Sequence, residues 1–186
     1  AAMQQDTSSA QVWMERAAEN GSAFAPFALY QVIGGEKGEK FLQTAVERHQ
    51  PSALGRRGTE IVLRETLNVE SADDKKVAEG LRMLSLSVMM CEPSTVQMLA
   101  YLYANGQGKN VPNERICELF RLAHRCGDPN GTAGLGYCMV MGAGCQQDAQ
   151  QGLALMEKAR DKGAQWVNQA LASMYFNGDG VKADMR

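Results

Sequence analysis

Three stretches decide the fold: QMLAYLYANGQG at residues 97–108, AGLGYCMVMGAG at 133–144 and QALASMYFNGDG at 169–180. Each closes on Gly-x-Gly, and the pairs Gly106/Gly108, Gly142/Gly144 and Gly178/Gly180 stand 36 residues apart. Leu99, Leu135 and Leu171 precede the first glycines by seven residues, each followed by a small residue, Ala100, Gly136 or Ala172. Half a unit earlier, Met83, Leu119 and Leu155 share the register, as do Ser87, Ala123 and Ala159. A fixed period in the thirties marks a helical-hairpin solenoid, in which each unit buries its apolar face only against its neighbours. The expected fold is all-α, with essentially no strand.

Outward from this core the chain reads as ten helices in about five antiparallel hairpins. Asp6 is expected to cap the first helix, which runs to about Asn20 with Val12, Trp13, Met14 and Ala17 on its apolar side. A second covers roughly Ser22 to Ile33. Phe41, Leu42, Ala45 and Val46 repeat the Trp13, Met14, Ala17, Ala18 spacing only 28 residues later, so the early unit is short. A helix from about Ser52 to Leu67 follows Pro51, and Asp73 or Asp74 caps the next, to Met90. The rest span about Ser94–Asn105, Asn113–Cys126, Pro129–Met141, Asp148–Lys162 and Ala164–Asn177. The closing glycines permit the left-handed backbone that ends a helix; His49 stands where other units place Gly.

The three Gly-x-Gly stretches resemble the first helix and loop of the Sel-one-like repeat family. ERICELFRLAHRCG (114–127) and QGLALMEKARDKG (151–163) resemble its second helix. The N-terminal segment matches the later QQDAQQGLALMEKARDKG, with Asp6, Met14, Ala17 and Gly21 on Asp148, Met156, Ala159 and Gly163. Regular repeats cover 78–186 and degenerate ones 1–74 of a single solenoid spanning 1–186. The resemblance implies a right-handed α-solenoid, a variant of the tetratricopeptide superhelix, acting as a protein–protein scaffold or adaptor.

Composition agrees with close-packed hairpins: 45% apolar, 6% aromatic, with 19 Gly and 11 Met to fill irregular gaps. A net charge of −2 gives no electrostatic footprint for nucleic acid. Arg56-Arg57 reads as a solvated helix face. No run approaches the ~18–20 apolar residues of a membrane helix. The chain enters a repeat at its second helix and stops where Asp184 would cap another, so both ends look cut. Val167, Leu171, Met174 and Tyr175 would then be left uncovered and meet a second copy. An N-terminus of this kind suits a processed, periplasmic or envelope-associated protein, with a cytoplasmic one as the alternative.

Catalysis and cofactors find little support. Gly-x-Gly here follows helices and lacks the strand, Lys and Ser/Thr of a phosphate loop. The two histidines and scattered acids form no acid–base pair, so no enzyme and no cofactor are expected. A metal reading would take Cys117, His124 and Cys126, but it lacks the paired-ligand pattern of zinc sites, and no metal is expected. The five cysteines are an odd set: mostly buried thiols, with one disulfide, Cys138 with Cys145 or Cys117 with Cys145, left open.

What remains is surface. First helices line the concave face of such a solenoid. Relative to the fixed leucines, the free columns are Ser94/Asn130/Trp166, Gln97/Ala133/Gln169 and Tyr101/Tyr137/Ser173. Of these, Ser94, Gln97, Tyr101, Asn130, Tyr137, Trp166, Gln169 and Ser173 are the candidate partner-binding residues, since aromatic anchors dominate hot spots. The competing assignment packs Trp166 and the tyrosines against adjacent repeats; Tyr103, Met139 and Tyr175 are expected in the core. The expected partner is another protein, such as a secreted effector or envelope protein blocked sterically by an immunity protein. The alternative is a glycan or peptidoglycan fragment stacked on the same rings.

Overall fold

The computed structural model describes residues 2–67, 73–104 and 111–182, the side chains at 2–8, 66–67 and 100–104 excepted. Among them are ten helices and no strand: α1 Ala2–Glu19, α2 Phe24–Ile33, α3 Gly35–Glu47, α4 Pro51–Leu67, α5 Asp74–Met89, α6 Pro93–Ala104, α7 Asn113–Arg125, α8 Pro129–Met141, α9 Ala149–Asp161 and α10 Trp166–Asn177. α4 packs on α5, α8 on α9 and α2 on α3 as hairpins, while α4–α6–α8 and α5–α7 touch along two layers. This is an α-solenoid.

The boundaries follow capping chemistry. Asp73, Asp128 and Asp148 accept from the amides of Lys75, Gly131 and Gln151, satisfying N–H groups that the first turns of α5, α8 and α9 leave unpaired. Ser22 does the same for Ala25. Asp6 does not cap α1, which already runs through it from Ala2. Pro93 opens α6 and Pro129 opens α8, positions where a missing N–H costs nothing.

The even-numbered helices α2 to α10 are the first helices of the repeat and the odd-numbered ones the second. α1, α3, α5, α7 and α9 are each followed by one left-handed residue: Gly21 (φ +90°), His49 (+55°), Cys91 (+57°), Gly127 (+77°) and Gly163 (+99°). His49 thus takes the glycine's conformation as well as its place. At the other hairpin ends Gly142, Gly144, Gly178 and Gly180 are all left-handed, as a helix-ending turn requires. Gly106 and Gly108 lie outside the described residues.

The core is a line of clusters, each shared between neighbouring units. Ala18, Ala25 and Leu29 join α1 to α2, and Leu42, Ala45 and Ala53 join α3 to α4. Val62, Leu84, Val88, Val96, Leu99, Phe120 and Leu135 run from α4 through α8. Val140, Met156, Ala159, Val167 and Met174 close α8 to α10. Val167 and Met174 are therefore buried beneath α9 and α8, against the expectation that they end the chain uncovered. Trp13, expected inward, is 66% exposed, and Arg16 sits over its ring at 5.0 Å. Met14, Ala17 and Ala18 carry the contact instead.

Polar ties hold the junctions. Ser87 Oγ donates to the Pro51 carbonyl (2.8 Å) and shares a hydrogen bond with Thr95 Oγ1 (2.7 Å), joining α4, α5 and α6. Arg48 donates to the carbonyls of Ala18 and Ser22 at 2.7 and 2.8 Å, closing the end of α1. Arg57 is not a solvated residue: only 19% of its side chain is exposed, and it pairs with Glu39 and Glu60.

The cysteines correct the sequence reading. Cys91 and Cys126 form a disulfide across 35 residues, joining the C-terminal ends of α5 and α7. Cys117, Cys138 and Cys145 are in no disulfide, so neither pairing left open from the sequence is present. Cys91 follows α5 where Gly127 follows α7, so its left-handed backbone aims the thiol at the neighbouring helix end.

Candidate functional site

Repetition of one helix face at a 36-residue interval brings the proposed columns together. Gln97 of α6, Asn130 and Tyr137 of α8, and Trp166, Gln169 and Ser173 of α10 all line one cavity of about 550 Å³. Ser94 is not among them. It lines a second cavity of about 610 Å³ between α2, α4 and α6, with Phe27, Arg56, Leu63 and Met98. The Tyr101 side chain lies outside the described residues. α6 is the wall between the two cavities, presenting Gln97 to one and Ser94 and Met98 to the other.

Trp166 and Tyr137 pack against adjacent repeats and also line the cavity. Trp166 packs against the clusters on either side of α8 while lining the cavity. Tyr137 is half-buried, its ring centre 6.4 Å from that of Trp166 and tilted by 59°. Burial pushes the Tyr137 hydroxyl above its ordinary range, and the Asp179 charge adds to that. Met139 packs on the core as expected; Tyr175 does not, being 37% exposed, and the Tyr103 side chain is outside the described residues.

Asp179 was missed by the sequence reading, which treated the Gly-x-Gly segments only as turns. The amides of Gly178 and Asp179 both donate to the Met174 carbonyl, at 2.8 and 3.0 Å, fixing residue 179 at the cavity rim. The N-terminal cavity was also missed, because the 36-residue register breaks there.

His124 Nδ1 is hydrogen-bonded to Thr132 Oγ1 at 2.9 Å, and Cys126, the third member of the weighed metal set, is in the disulfide. No group of three His, Cys, Asp or Glu among the described residues could hold a metal ion. No helix among them is long and apolar enough to cross a membrane.

The Sel1 repeat profile matches residues 2–22, 97–115, 129–163 and 169–186, and the chain belongs to the Sel1 repeat family. Such repeats are protein–protein interaction scaffolds, typically without catalysis. Among solved structures, the chain is similar to c5321, a protective antigen of uropathogenic Escherichia coli displaying an SLR fold (24% identity, TM-score 0.62), covering 93% of this chain and 38% of that one. It is also similar to a Sel1 repeat protein from Oxalobacter formigenes (22% identity, TM-score 0.62), covering 95% of this chain and 74% of that one. This chain thus spans well under half the length of the first of these. No curated protein sequence matches it.

Proposed function

We propose that this chain is a non-catalytic scaffold that holds a segment of another protein along its even-numbered helices. One observation carries the reading: two cavities, about 610 and 550 Å³, lie on the same layer and share α6 as their common wall. A single enclosed pocket serves a small molecule. Two open ones in series fit an extended chain that places a side chain in each. The partner we favour is a secreted effector or envelope protein, held sterically in the manner of an immunity protein, in the periplasm or at the envelope. The Cys91–Cys126 disulfide supports that compartment, because disulfides persist where the environment is oxidising.

The test is capture from envelope and cytosolic fractions of the native host, with the wild-type chain and a Gln97→Ala/Gln169→Ala variant as paired baits. A partner enriched by the first and reduced tenfold by the second supports the reading. Equal enrichment removes the groove from it. A glycan is the second reading, favoured by the tilted Tyr137–Trp166 pair beside four amide side chains. A ligand at 100 times its Kd adds about 2.7 kcal/mol of stability, so a panel of glycan fragments without a thermal shift removes it.

A further inference from the structure

The lining of the C-terminal cavity is chemically one-sided. Asp179 is its only charged side chain among the described residues, and no cation faces it. Among the described residues the Asp179 carboxylate enters no ion pair; Asn177 Nδ2 donates to its Oδ2 at 3.1 Å, and that amide also contacts Ser173 Oγ at 3.4 Å. Tyr137 and Trp166 supply two ring surfaces at 59° to each other. Gln97, Asn130, Gln165 and Gln169 add amide oxygens that accept hydrogen bonds.

Ring faces attract cations through their quadrupole, most strongly when the cation is planar and weakly hydrated. A guanidinium carries five donors in a fixed fork. One edge can bind a carboxylate while the plane stacks on an aromatic face. Carboxylate, two rings and several carbonyl acceptors, with no lysine or arginine among the described lining residues, form a complementary set. An anionic side chain would meet Asp179 with no compensating charge.

We infer that this cavity takes an arginine side chain from the bound protein segment, its guanidinium stacked against Tyr137 and Trp166 and paired with Asp179. The inference rests on the scaffold reading and names the partner residue at one end of the groove. The N-terminal cavity is of mixed character, with Phe27, Leu63 and Met98 beside Arg56, Glu60 and Glu92.

The probe is Trp166 fluorescence in a Trp13→Phe background. Trp13 is exposed and the chain has two tryptophans, so Trp166 then reports alone. Acetyl-Gly-Arg-Gly-amide, its citrulline counterpart and its glutamate counterpart are titrated at low and high salt. Citrulline keeps the shape of arginine and removes the charge. The expected result is arginine binding at least about fivefold tighter than citrulline, weakened by salt, with glutamate weakest. Asp179→Asn should bring arginine down to the citrulline level, its fold checked by circular dichroism. Equal binding of arginine and citrulline, or arginine binding indifferent to salt, overturns the inference, and the salt arm stands even if the variant misfolds. The titration uses no partner, so its failure is separate from failure of the capture experiment.

Discussion

Gly136 of α8 and Gly152 of α9 face each other so closely that each leaves no room for a side chain on the other. A Cβ on either would stand 2.6 Å from the other's carbonyl oxygen. Gly58 and Gly80 make the same crossing between α4 and α5, where a Cβ on Gly58 would meet the Gly80 carbonyl at 2.7 Å. Gly152 follows Gly80 by two periods, and Gly136 is one of the small residues that trail the repeat's leucine.

Gly136→Ala should therefore destabilise the chain despite improving helix propensity. Alanine gains roughly 1 kcal/mol over glycine in a helix. Overpacking a tight backbone crossing costs typically 1–3 kcal/mol, and here the obstacle is main chain that cannot swing aside. The net expectation is a loss of up to about 2 kcal/mol in urea unfolding. Gly38 of α3 is the control: its Cβ would meet Tyr30 at ordinary contact distances, 3.5 Å and beyond. Gly38→Ala should gain up to about 1 kcal/mol. The two substitutions moving in the same direction would contradict the packing argument.

The disulfide joins two hairpins rather than the two helices of one, so reducing it frees a long loop. For a sequence separation of 35 the chain-entropy relation gives about 3–4 kcal/mol. Cys91 holds φ at +57°, a conformation costing a non-glycine residue roughly 1 kcal/mol. Replacing the pair as Cys91→Gly/Cys126→Ser should thus leave the chain about 1 kcal/mol more stable than Cys91→Ala/Cys126→Ser. Thermal unfolding of the two double variants, both under reducing conditions, measures the difference.

That disulfide shows where sequence reading stopped. The repeat was legible because Leu135, Gly136 and Gly142 each answer a steric demand that recurs every unit. Cys91 broke the pattern by standing where a glycine belongs, so its backbone conformation could be inferred but not its bonding partner one layer away. The groove was half legible for the same reason. Gln97, Asn130, Tyr137, Trp166, Gln169 and Ser173 keep register and converge on one cavity. Phe27, Arg56 and Leu63 belong to units of altered length. The left-handed residues His49 and Cys91 stand 28 and 42 residues after their predecessors rather than 36, so beyond Ser94 no column member pointed to the second cavity.

The thiols outside the disulfide differ in reactivity. Cys117 is buried, and burial together with the neighbouring Cys145 thiol pushes its pKa from 9.0 up to about 12. Only the thiolate is nucleophilic, so Cys117 should resist iodoacetamide at pH 8 while the less buried Cys145 reacts first. Mass spectrometry of timed samples reads the order. The raised pKa also has a sign for stability. The folded state holds the proton more tightly than the unfolded one, so this contribution is whole below pH 9 and declines as pH rises towards 12. Cys117→Ala should flatten the part of the alkaline loss that this thiol causes.

The groove residues divide by how deeply they are built into the fold. Gln97 and Gln169 are exposed and make no side-chain hydrogen bond among the described residues, so replacing both with alanine should shift stability by less than about 0.5 kcal/mol. Tyr137 is half-buried against the α8–α10 cluster, and Trp166 touches the clusters on both sides. Their truncation removes contacts that the neighbouring hairpins cannot recover by collapsing. Tyr137→Ala should cost about 1–2 kcal/mol and Trp166→Ala about 2–4 kcal/mol. Phenylalanine at 137 keeps the ring that packs against the cluster and should restore the packing part of that loss. Urea unfolding of the four variants checks the order Gln97/Gln169, Tyr137→Phe, Tyr137→Ala, Trp166→Ala. A Tyr137→Ala variant as stable as wild type would mean that the ring belongs to the groove alone.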